Sequence, residues 1–176
     1  LPVYGVDVEQ ALTVTAVPAS TAAFPVSVTN LGNDDDSFTL LVTDPVGGDF
    51  ACTSVAIYAD ANGDGAPDNF TDLSGTNVGP IGPGLVATYV ATCPVPGSAT
   101  AGTQNTITVA ATGVADPGET DSVTDTINVT DNAVVTVTKA MSASSGAPGS
   151  GPYTVTLTYT NNGNATDSYG ITATDT

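Results

Sequence analysis

With 176 residues, 40% of them hydrophobic, 19 glycines and 12 prolines, the chain is long enough for one good core and a fragment of another. Its 18 acids face a single base, Lys139, and the resulting charge of −17 excludes nucleic acid and anionic membrane surfaces as partners, since phosphate binding needs clustered Lys and Arg. With no His, no Trp and no Arg, a Ser-His-Asp triad, an ordinary zinc site and an arginine clamp are all ruled out, so the chain is expected not to be an enzyme.

The abundance of Val and Thr and the scarcity of Leu, Glu and Lys favour strands over helices, and period-two alternation recurs throughout. In chain order the predicted strands are Val6 to Glu9, Leu12 to Ala16, Ala23 to Asn30, Asp36 to Thr43, Thr53 to Tyr58, Val86 to Cys93, Thr103 to Gly113 and Thr120 to Val129. Short strands at this spacing predict an all-β sandwich. The pattern restarts after Asp131, with strands expected at Val134 to Lys139, Tyr153 to Thr160 and Ser168 to Thr174.

Cys52 and Cys93 each sit in a strand-like stretch and are separated by an acidic, Gly-rich segment. A bridge between them closes a loop of about 42 residues and stabilises the fold by about 4 kcal/mol in the chain-entropy picture; two buried thiols are the alternative. A catalytic cysteine lacks a histidine to act as its base. The pair suits an oxidising setting outside the cell. Three Asn-x-Ser/Thr sequons, at Asn69, Asn128 and Asn164, would permit glycosylation there. No apolar stretch approaches a membrane span and no signal peptide is legible, so the sequence reads as a mature chain.

The sharpest local constellation runs from Asp60 to Asp72. Oxygen side chains at Asp60, Asn62, Asp64 and Asp68, a glycine at Gly65 and the carbonyl of Ala66 follow the order in which an EF-hand loop wraps calcium. Thr71 stands where the bidentate Glu belongs and Asp72 falls one place late, which predicts a structural calcium clamp of modest affinity. A solvent-facing acidic Asx-turn is the alternative. A second acidic group, Asp34-Asp35-Asp36, is expected to splay into solvent unless a cation joins it.

The segment Thr160 to Asp175 repeats Thr29 to Asp44 at half of the positions, centred on Thr-Asn-x-Gly-Asn, whose Asn and Gly suit a tight turn. Thr136 is likewise expected to echo Thr13. Residues 1-131 are therefore expected to form a complete module with the disulfide and the calcium-type loop, and 132-176 an incomplete second one, completed by a neighbouring subunit or truncated. The stretches F-P-V-S-V-T-N-L-G-N-D-D-D-S-F-T-L and Y-T-V-T-L-T-Y-T-N-N-G-N-A-T-D-S-Y resemble a conserved repeat found in tandem in secreted and cell-surface proteins of bacteria and archaea, a family of unknown function. That resemblance implies an immunoglobulin-like sandwich with a scaffolding or adhesive role and no catalytic residues. Members commonly continue past Thr-Asp-Thr with Leu-Pro, and the chain opens with Leu1-Pro2, so one subunit's start is expected to supply what another's end lacks. The function expected is a structural subunit of an extracellular filament or surface layer, joined to copies of itself by strand complementation. An adhesin, or a module that binds carbohydrate or protein, is the alternative.

Overall fold

The alternation of Thr21–Asn30 sends Ala22, Phe24, Val26, Val28 and Asn30 to one side and Thr and Ser largely to the other, the signature of a strand with one buried face. The computed structural model describes residues 1–9, 11–142, 149, 151 and 154–172, and none of these is helical. The chain divides into two units, Leu1–Thr130 and Asp131–Thr176.

In the first unit the strands are β1 (Val6–Val8), β2 (Thr13–Ala16), β3 (Thr21–Asn30), β4 (Asp36–Thr43), β5 (Ala56–Ala59), β6 (Thr76–Ile81), β7 (Val86–Pro94), β8 (Gln104–Gly113) and β9 (Thr120–Val129). One sheet has the order β1-β3-β7-β5 and the other β2-β9-β8-β4-β6. All pairings are antiparallel except β2 with β9. This is an immunoglobulin-like β-sandwich: the first sheet follows the A-B-E-D order and β9-β8-β4 the G-F-C order. The N-terminal segment divides between the sheets, β1 pairing with β3 and β2 with β9. From β4 to β7 the chain changes sheet at every connection, and both candidate features, disulfide and acidic loop, lie on these crossings.

The core is what the inward faces bring together. Phe24, Val28, Phe38, Leu40, Ile57, Ile107, Val109 and Ile127 are fully buried between the sheets. Burying Phe24 or Phe38 stabilises the fold by roughly 2 to 3 kcal/mol each through apolar area alone. Around this apolar centre lie buried polar residues, Asn30, Asp36, Asp60, Asn105 and Asp125.

In the second unit β10 (Val135–Met141) and β11 (Val155–Asn161) form an antiparallel pair. The local hydrogen bonds of the repeat turn are reproduced here. Gly32 N donates to Asn30 Oδ1 at 2.8 Å and Gly163 N to Asn161 Oδ1 at 2.9 Å. The Nδ2 of Asn30 donates to Asp34 O at 2.9 Å, and that of Asn161 to Ala165 O at 2.8 Å. Val6 pairs with Asn30 as Val135 pairs with Asn161, so β10 takes the place of β1 rather than of the strand containing Thr13. The two hairpins differ in what covers them. Val6 and Val8 are 9% and 6% exposed, whereas Val135 and Val137 are 45% and 51% exposed. Phe24 and Val26 are likewise buried on β3, while Val155 and Leu157 lie open on β11.

Three expectations are corrected. Thr76–Ile81 is an edge strand that the Gly-Pro pair at Gly79-Pro80 disguised as a turn; proline is tolerated there because one side of an edge has no ladder to serve. The strand expected from Thr53 begins only at Ala56. Ser168 to Thr172 is not a strand, although its counterpart β4 is, because β4 is held between β6 and β8 and no described residue plays those parts in the second unit; Ala173 and Thr174 lie outside the described residues.

Candidate functional site

The acidic loop follows β5 and is organised around Asp60, which is 1% exposed. Its two carboxylate oxygens accept from Asp64 N at 3.1 Å and Gly65 N at 2.9 Å, so the first position of the loop gathers the fifth and sixth. Asn62 Oδ1 also accepts from Asp64 N at 3.1 Å, and Asp64 Oδ1 accepts from Ala66 N at 2.9 Å. Asp68 Oδ2 draws in Ala61 N at 2.6 Å, and Gly65, at φ +79°, makes the reversal that L side chains rarely allow. The loop is anchored to the sandwich by its main chain: Asp60 N donates to Thr88 O at 3.1 Å, Asp68 N to Ala59 O at 2.9 Å, and Thr88 Oγ1 donates to Asp60 O. At its far end Phe70 meets the Tyr58 ring edge-on at 5.7 Å.

Of the six residues expected to ligate a cation, Asp60, Asn62, Asp64 and Asp68 are thus drawn into one hydrogen-bonded turn that also contains Ala66. Asp72 is placed otherwise: its Oδ1 accepts from Ile57 N at 3.1 Å and Ser74 N at 3.0 Å, tying the end of the loop to β5. Among the described residues no group of three or more His, Cys, Asp or Glu side chains is arranged to hold a metal ion. The donor chemistry still suits a hard cation, since every side chain offered is an oxygen donor and an oxygen that accepts one N–H keeps a second lone pair.

The disulfide joins Cys52 to Cys93, with the Cα atoms 5.3 Å apart. It fastens the β4–β5 crossing to β7, where Cys93 is fully buried. Two polar residues that the sequence did not single out complete the anchor. Asp44 accepts from Cys52 N at 2.7 Å through one oxygen and from Asn105 Nδ2 at 2.9 Å through the other. Gly48 lies so close to Asn105 that a Cβ on it would stand 1.9 Å from Oδ1, so only glycine fits. The signal for Asp44 was visible as the last residue of the repeated segment, but its role depends on Asn105, sixty-one positions away.

The sequons stand in unlike settings. Asn69 is exposed on the acidic loop, with Oδ1 accepting from Thr71 N at 2.9 Å. Asn128 is half-buried on β9 and accepts from Gln104 Nε2 at 2.7 Å. Asn164 is half-buried in the repeat turn of the second unit, where Oδ1 accepts from Asn132 N at 2.6 Å. Asp34 and Asp35 splay to the surface, whereas Asp36 turns inward. No helix among the described residues is long and apolar enough to cross a membrane.

No family model matches the chain, and no curated protein does. Among solved structures, a family 123 glycoside hydrolase from Clostridium perfringens aligns at 8% identity and a TM-score of 0.46 over 72% of this chain, which spans only 27% of the hydrolase. The PapD-like domain 7 of human CEP192 aligns at 14% identity and a TM-score of 0.39, over 71% of this chain and 83% of that domain.

Proposed function

We propose that the chain is a non-catalytic structural subunit of an extracellular filament or surface layer, in which the β10–β11 hairpin takes strands from a neighbouring copy. One observation carries this reading: the hairpin repeats the hydrogen bonds of β1 and β3, yet the apolar positions that are buried in the first unit are open in the second. An exposed apolar face with an unpaired strand edge is the surface that strand addition uses. The high negative charge keeps such surfaces from associating indiscriminately and favours pairing in the presence of cations. In this reading the chain belongs with the tandem Thr-Asn-x-Gly-Asn repeats of bacterial and archaeal surface proteins.

Calcium is the cofactor proposed, held by Asp60, Asn62, Asp64, the carbonyl of Ala66 and Asp68, with Asp72 bracing the loop against β5. Bound there, it would neutralise the clustered carboxylates and stiffen a crossing between sheets. The disulfide braces the adjacent crossing, which suits a subunit that bears load outside the cell.

Electron microscopy of the purified protein, with calcium and with chelator, tests the assembly. Filaments or sheets are expected with calcium, and Leu157→Asp on β11 should abolish them while leaving the melting transition of the first unit in place. Monodisperse monomers under every condition would overturn it. The two matching repeat turns also favour a second reading, an adhesive or carbohydrate- or protein-binding module of a tandem array. Monomers that bind a glycan array would establish that reading instead.

A further inference from the structure

Asp36 opens β4 at a bulge, where the pairing with β6 changes register between Asp36 and Phe38. Its side chain is 4% exposed, and its two oxygens are treated very differently. Oδ1 accepts from Ser37 N at 2.7 Å and from Ala115 N at 3.1 Å. Oδ2 is buried and has no hydrogen-bond partner among the described residues.

The space beside Oδ2 is bounded by oxygens. A Cβ built on Gly113 would stand 3.2 Å from Asp36 Oδ2, 2.9 Å from the carbonyl oxygen of Asp116 and 3.6 Å from that of Glu119. Each of these carbonyls already accepts one main-chain N–H, from Glu119 at 3.0 Å and from Gly113 at 2.9 Å, and each keeps a second lone pair. Position 113 is glycine, and a Cβ there would crowd the Asp116 carbonyl oxygen, so these oxygens keep their approach only without a side chain. Asp34 and Asp35, next to Asp36 in the chain, and Asp116 and Glu119, whose carbonyls face Gly113, are exposed acids.

A buried carboxylate oxygen needs a partner, because removing it from water without one is among the larger penalties in a fold. The first unit contains no Lys, Arg or His side chain to supply one. A cation from solution would supply the counter-charge, and an all-oxygen donor set selects a hard ion.

We propose that Asp36 Oδ2, with the main-chain carbonyls of Asp116 and Glu119, holds a hard, oxygen-liganded cation, calcium or sodium, beside Gly113. The ion ties the start of β4 to the β8–β9 turn. The site is separate from the Asp60 loop and does not depend on it.

The test is an amide NMR titration of the intact chain, stripped of metal, in a tetramethylammonium background. Calcium or sodium, added to about 10 mM for calcium in line with the weak affinities of extracellular modules, should shift the amides of Ser37, Gly113, Ala115 and Gly118 with a saturating profile. Asp36→Asn should abolish those shifts while the amides of Asp64 and Gly65 keep their own calcium response, and Asp60→Asn should do the reverse. Saturation by calcium alone identifies a divalent site, and saturation by sodium alone a monovalent one. Amides that stay unmoved in the unaltered chain, or that move equally on adding more tetramethylammonium, overturn the proposal. Because the shifts are read first on the unaltered chain, a variant that fails to fold does not blur the outcome. Silence of Asp64 and Gly65 would count against calcium in the acidic loop alone.

Discussion

Asn30 is fully buried and its side chain makes three hydrogen bonds, to Asp34 O, to Ile81 O and from Gly32 N, so it closes the repeat turn and also fastens the end of β6. Asn30→Ala leaves those groups unsatisfied and is expected to lower stability by about 2 to 3 kcal/mol in denaturant titrations. Asn161→Ala, at an exposed position with no counterpart of the Ile81 bond, should have a smaller effect on the second unit. Asp125 presents a different problem. Burial raises its carboxyl above the ordinary 3.8, and the hydrogen bond donated by Leu12 N opposes that rise only in part. The folded state therefore keeps this proton to higher pH than the unfolded chain does. Its contribution is favourable at low pH and is lost as pH rises through the raised pKa. The stability of Asp125→Asn relative to the parent should accordingly grow with pH across the carboxylate range and then level off; a difference that is flat with pH would contradict this. None of these inward polar residues was legible as such, because Asn and Asp on strands look the same in sequence whether they face solvent or core. The Asn of Thr-Asn-x-Gly-Asn was read as a turn former, which it is, but its second bond runs to Ile81, on a strand the sequence hid.

At the scale of elements, the sequence carried most of the sandwich because one-sided burial imposes period two, and β3, β4, β8 and β9 all obey it. β6 escaped because an edge strand is released from that rule: only Ile81 of its residues is buried. The expected strand at Ser168 failed for the converse reason, since favourable residues do not make a strand without a neighbour to pair with. The acidic loop was legible as a wrapping sequence, and Asp60, Asn62, Asp64 and Asp68 do converge in one turn. Asp72 was not, because its diversion to Ile57 N depends on how β5 lies beside the loop. The disulfide was legible from two strand-like cysteines, but its support from Asp44 and Asn105 was not. Replacing both cysteines by Ala should lower stability by about 2 to 4 kcal/mol, seen as a lower melting temperature that reductant does not shift further.

For the whole molecule, the uneven charge has a practical consequence in the position of its one exception. Trypsin cuts after Lys and Arg, and the chain offers it a single bond, Lys139 to Ala140, within β10 and opposite Leu157. The first unit, with neither residue, is invisible to the protease even when unfolded. Cleavage therefore reports on the hairpin alone. A free chain, whose two-stranded hairpin is only marginally stable and opens readily, should be clipped into two pieces, whereas a chain whose hairpin is held by added strands should stay whole, since a protease needs its substrate extended and unpaired. A gel band after brief digestion would thus count the fraction of subunits whose joint is filled.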